Sequence, residues 1–67
     1  MNAGLVISSL RETQDLSLRD LEKMSGISNT AIHKWEKGIS VPRVDGLQMV
    51  LEALGYKLQV VKKEGTK

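Results

Sequence analysis

The stretch from Ser17 to Gly38 reads "SLRDLEKMSGISNTAIHKWEKG" and decides the fold. Ser17 is an N-cap residue, with Asp20 three positions later where a capping box places its second acceptor. Leu18, Leu21 and Met24 follow at i, i+3 and i+6, and Gly26 stops that helix as a left-handed residue. Ser28 is the next N-cap. Ala31, Ile32 and Trp35 form the apolar stripe of the following helix, which Gly38 ends. Only Ser25, Gly26 and Ile27 separate the two helices, and so short a turn with one glycine predicts a crossing of about 90–120°. A small apolar cluster of Leu21, Ile27, Ile32 and Trp35 would hold the pair. It leaves Asn29, Thr30, His33 and Lys34 facing outward, where a helix with no outside role would more often carry Glu/Lys pairs.

Working outward, Leu5, Val6 and Leu10, with Ile7 beside them, predict a first helix from about Ala3 to Thr13. Downstream, "GISVPR" is a loop that holds the single proline. From about Arg43 to Leu54, Val44, Leu47, Val50, Leu51 and Leu54 mark a fourth amphipathic helix, stopped by Gly55. The period then changes to two: in "YKLQVV", Tyr56, Leu58 and Val60 alternate with Lys57, Gln59 and Val61, a strand pattern. One strand cannot satisfy its own backbone hydrogen bonds. No second strand is visible in the chain, so the expected partner is another copy pairing across a two-fold axis through Tyr56, Leu58 and Val60. The alternative is that this segment continues as helix or stays without structure. The expected fold is all-α: a compact four-helix unit over residues 1–55, with a strand and charged tail over 56–67 for dimerisation.

At 67 residues the chain holds one domain with a modest core, burying only about 60% of its unfolded surface. It has no cysteine, so no disulfide or thiolate-bound metal reinforces it. "MNAGLVISSL" lacks the basic start and apolar run of a signal peptide, and no stretch reaches the roughly 20 apolar residues of a membrane span. A cytoplasmic protein is expected, with no membrane partner. Ten Lys/Arg against eight Asp/Glu give a net charge of +2, too small to name a partner by itself. Trp35 and Tyr56 are the only aromatic residues, which argues against a single-strand binder that stacks bases on several rings. His33 has no cysteine or acidic pair around it, so neither a metal site nor a catalytic dyad is expected. Trp35, at helical spacing from Ile32, is a core residue.

The segment "LSLRDLEKMSGISNTAIHKWEKGISVPRVDGLQMVLEALG", Leu16 to Gly55, resembles the Cro/XRE-type helix-turn-helix regulators, which include phage repressors. The resemblance rests on Leu21, Gly26-Ile27-Ser28, Ile32, Trp35-Glu36, Gly38, Pro42, Leu51 and Ala53-Leu54-Gly55. It implies that the third helix is a recognition helix lying in the major groove of double-stranded DNA. By position in the motif, Asn29, Thr30 and Lys34 would read bases: Asn29 adenine, Thr30 a thymine methyl or a base donor, Lys34 guanine. Ser17 and Ser28 would cap helices and touch phosphate. Lys37, Ser40 and Arg43 would contact the backbone after the third helix, and His33 would lie exposed near a phosphate. The family also implies a structural ion pair between Glu36 and a first-helix arginine, here Arg11.

Three departures stand out. Leu18 replaces a glutamine that often contacts DNA. Glu22 takes a slot that is usually alanine, where a glutamate is expected to bend out to water. "YKLQVV" replaces a fifth helix and resembles the antitoxin branch of the family, whose C-terminal strand pairs across the dimer. The expected function is a sequence-specific repressor acting as a homodimer on a palindromic operator. The second reading is an antitoxin that also binds a toxin protein. An enzyme is not expected, since four short helices leave no room for a pocket of about 300 Å³ and no nucleophile–base set can be assembled. No cofactor is implied.

Overall fold

The computed structural model describes residues 2–59. They form four helices: α1 (Ala3–Thr13), α2 (Leu18–Ser25), α3 (Asn29–Glu36) and α4 (Val44–Ala53). The fold over the described residues is all-α. Each of the first three helices starts on a side-chain cap. Asn2 Oδ1 accepts from the Leu5 N–H, Ser17 Oγ from Asp20 and Ser28 Oγ from Ala31, at 3.1, 3.0 and 3.2 Å. The carboxylate of Asp20 accepts in return from the Ser17 N–H at 2.9 Å, which completes the capping box. Gly26 closes α2 at φ 80°, a left-handed geometry that a Cβ would disfavour, and its N–H donates to the Glu22 carbonyl at 2.8 Å.

The helices pack α1 on α3, and α2 on both α3 and α4. Their shared core is Ile7, Leu21, Ile32, Leu47, Val50, Leu51 and Leu54. Trp35, Ile27, Leu10, Leu16 and Leu58 pack around it. Three residues expected in the apolar stripes lie outside. Leu5, Met24 and Val44 are 61%, 49% and 69% exposed. The cause is angular. A step of three residues turns the helix about −60° and a step of four about +40°, so a run spaced only by threes drifts off its face. In α2 the buried position after Leu21 falls four residues on, at Ser25, whose Oγ accepts from the Ile27 N–H at 3.1 Å. In α1 Ile7, not Leu5, enters the core. Val44 is the first residue of α4, one turn before the stripe that Leu47 opens.

Where α1 crosses α3, Gly4 is buried against the Trp35 backbone: a Cβ there would overlap the Trp35 carbonyl oxygen. Gln14 Nε2 donates to the Leu54 carbonyl at 2.8 Å and ties the end of α1 to the end of α4. Residues 56–59 have no regular secondary structure within this single chain, and Leu58 turns onto the core. The segment from Val60 onward, which includes the last two residues of the expected pairing strand, lies outside the described residues.

Candidate nucleic-acid interface

Helix α3 is amphipathic in the way its sequence requires. At about 100° per residue, Thr30, Lys34 and Lys37 fall within roughly 40° of the point opposite buried Ile32. All three are exposed, as is His33. The one acid of α3, Glu36, falls on the inner side instead. Its carboxylate receives the guanidinium of Arg11 side-on: Nε donates to Oε2 at 2.8 Å and Nη2 to Oε1 at 2.9 Å. The Arg11 side chain is 15% exposed and that of Glu36 8%. The hydrogen bond to Glu36 raises the Arg11 pKa above its ordinary value, against the opposing effect of burial. The negative charge that would repel a polyanion is thereby turned inward and neutralised.

The remaining residues singled out in the sequence are distributed as follows. Ser17 and Ser28 are exposed at the starts of α2 and α3, each accepting its cap hydrogen bond. The Ser28 hydroxyl donates in no hydrogen bond among the described residues and keeps its O–H for an outside acceptor, whereas that of Ser17 acts on the Asp20 carboxylate. His33 and Lys37, one turn apart, share a shallow depression with Ser8, Glu12 and Leu18, which brings them beside the start of α2. Ser40 and Arg43 are exposed in the loop before α4, and Ser40 lines a second depression with Asn2, Gly4 and Pro42. Tyr56 is 53% exposed.

Asn29 departs from the expectation of a freely outward side chain. It is half-buried, and its Nδ2 donates to Glu22 Oε1 at 2.7 Å. Glu22 accordingly does not bend out to water, because the amide at the start of α3 supplies a donor within reach. The unusual acid at a normally small position was visible in the sequence, but its partner was not. Among the described residues no group of three or more His, Cys, Asp or Glu could hold a metal ion, and no helix is long and apolar enough to cross a membrane.

A family model described as helix-turn-helix matches residues 7–61. The chain belongs to the Cro/XRE-type helix-turn-helix family of DNA-binding regulators. Within it, similar curated proteins are the "Uncharacterized HTH-type transcriptional regulator" of two strains of Mycobacterium tuberculosis, CDC 1551 / Oshkosh and H37Rv. Each is 36% identical over 58 residues, which covers 87% of this chain and 41% of theirs. The helix-turn-helix chain thus spans about two fifths of the length of those relatives. No solved structure is a significant match. Family membership accounts for the α2–turn–α3 pair. It does not account for the carboxylate at position 22.

Proposed function

We propose that this chain is a sequence-specific repressor that binds double-stranded DNA as a homodimer on a palindromic operator in the cytoplasm. One observation carries the reading: the outer face of α3 holds hydrogen-bonding and cationic side chains, while its only acid is turned in against Arg11. The B-DNA major groove, about 12 Å wide, admits one α-helix, and residues near that helix's start reach base edges. Asn29, Thr30 and Lys34 read bases. Ser17, Ser28, His33, Lys37, Ser40 and Arg43 contact phosphate, which sets register without carrying sequence information. Residues 1–55 form the DNA-binding unit. The segment from Tyr56 through Leu58 to Val60 pairs with its counterpart in a second copy, so that two recognition helices meet successive major grooves about 34 Å apart. Membership of a family of DNA-binding regulators supports a binding role rather than a catalytic one.

The test is selection of bound sequences from random duplexes by the full chain at stated salt, beside a mass determination in solution. The reading expects enrichment of an inverted repeat and the mass of a dimer. Equal affinity for selected and scrambled duplexes overturns it.

A further inference from the structure

Among the described residues, the contact between Glu22 and Asn29 is the one polar bond that links α2 to the start of α3, and its chemistry is directional. An ionised carboxylate only accepts hydrogen bonds, so the amide of Asn29 must turn its NH2 group, not its oxygen, toward Glu22. A charge-assisted bond of 2.7 Å holds it there. An asparagine free at a helix start rotates between two amide orientations of similar energy. This one does not. The second N–H of Nδ2 and the carbonyl Oδ1 remain, a donor and an acceptor side by side in a fixed order.

Adenine offers N7 as acceptor and N6 as donor in the major groove, whereas guanine offers two acceptors, N7 and O6. A rotating amide can adapt to guanine by presenting N–H groups. An amide held by a carboxylate presents Oδ1 toward O6 and is repelled. We propose that Glu22 is a positioning residue that determines specificity: it holds the Asn29 amide so that α3 accepts adenine and rejects guanine at the base pair Asn29 faces. The proposal rests on the reading of Asn29 as a base contact and adds to it a residue that never touches the DNA base. It also gives the acid at position 22 a function, since a carboxylate beside a phosphate backbone otherwise only weakens binding.

The experiment is duplex selection with the full chain in five forms: unaltered, Asn29→Ala, Glu22→Ala, Glu22→Met and Glu22→Gln. Thermal melting accompanies each, and the two acceptor-free changes guard against a folding defect in either one. The unaltered chain prefers adenine over guanine at one position per half-site, and Asn29→Ala abolishes that preference. Glu22→Ala and Glu22→Met lower the adenine-to-guanine ratio at that position by about tenfold and leave the other selected positions intact. Glu22→Gln lowers the ratio too, though by less than the acceptor-free changes, because its amide can accept the Asn29 N–H through Oε1 or donate to Oδ1 through Nε2 and so fixes the order only in part. A purely structural role for Glu22 would weaken all sequences alike and leave the ratio unmoved. If Asn29→Ala abolishes the preference while both acceptor-free variants retain it, the proposal fails and the base contact stands. If Asn29→Ala leaves every preference in place, the base contact fails and the proposal with it.

Discussion

Arg11 makes three hydrogen bonds, two to the Glu36 carboxylate and one from Nη1 to the Leu16 carbonyl at 2.8 Å. The guanidinium therefore joins α1, α3 and the link before α2. Truncating one side strands the other charge in a half-dry site, at a cost of about 3–5 kcal/mol. A domain of this length holds roughly 3–10 kcal/mol in total. Glu36→Ala is expected to bring the chain close to unfolding at 25 °C, as read by urea titration. A loss below about 1 kcal/mol would mean that the pair acts as a surface contact. Lysine at position 11 would not rescue, because a single ammonium lacks the planar fork that meets both carboxylate oxygens. Gly4 is the second sensitive residue. Its missing Cβ leaves the space taken by the Trp35 carbonyl oxygen, a backbone atom that cannot rotate aside. Gly4→Ala should push α1 and α3 apart and cost about 1–3 kcal/mol despite alanine's better helix propensity. A melting temperature at or above that of the parent would refute this.

Among the elements, α2 shows its construction most openly. Ser17 and Asp20 exchange cap hydrogen bonds, and Ser17→Ala is expected to cost about 1 kcal/mol. The backbone N–H and the hydroxyl of Ser17 both lower the Asp20 pKa below its ordinary 3.8. A carboxylate with a depressed folded value stabilises the fold above the unfolded value, and the benefit is lost as pH falls through the folded one. The stability difference between the parent and Asp20→Asn should therefore be constant near neutral pH and shrink below about pH 4. A difference that persists unchanged at pH 2.5 would count against the cap. These caps explain why the helix limits could be read in advance. The starts at Leu18 and Asn29 depend on partners three residues away, and such partners are adjacent in any context, while Ala3–Thr13 was legible from apolar spacing. The stripes were less legible. Leu5, Met24 and Val44 have the apolar character of core residues, but which of several apolar positions is covered depends on where the neighbouring helix lies.

For the molecule as a whole, the packing of α1 and α2 against α3 holds one face of α3 in and the other out. On the proposed reading, Lys34 and Arg43 differ in what they do to DNA binding. Lys34→Ala should cost about 1–3 kcal/mol on the selected duplex and relax preference at one base pair. Arg43→Ala should weaken all duplexes together and reduce the slope of log K against log salt by about 1. Titrations at several salt concentrations separate the two. Identical behaviour of both variants would mean that α3 approaches DNA by another face. The relatives' greater length bears on the same scale: the chain matches 41% of each, so what their remaining residues add belongs to them.

By itself the sequence determined four helices, their limits and the outward polar face of α3, because caps and apolar periodicity act over a few neighbouring residues. It marked Leu18, Glu22 and the ending "YKLQVV" as departures from the family pattern, and the Arg11–Glu36 pairing was legible only through family resemblance. Tertiary structure alone decided that Glu22 meets Asn29, that Gln14 caps the carbonyl of Leu54 and that Gly4 lies on Trp35. Those contacts join groups from different elements at hydrogen-bond or van der Waals distance. Such distances follow from how the helices pack, which no local spacing along the chain encodes.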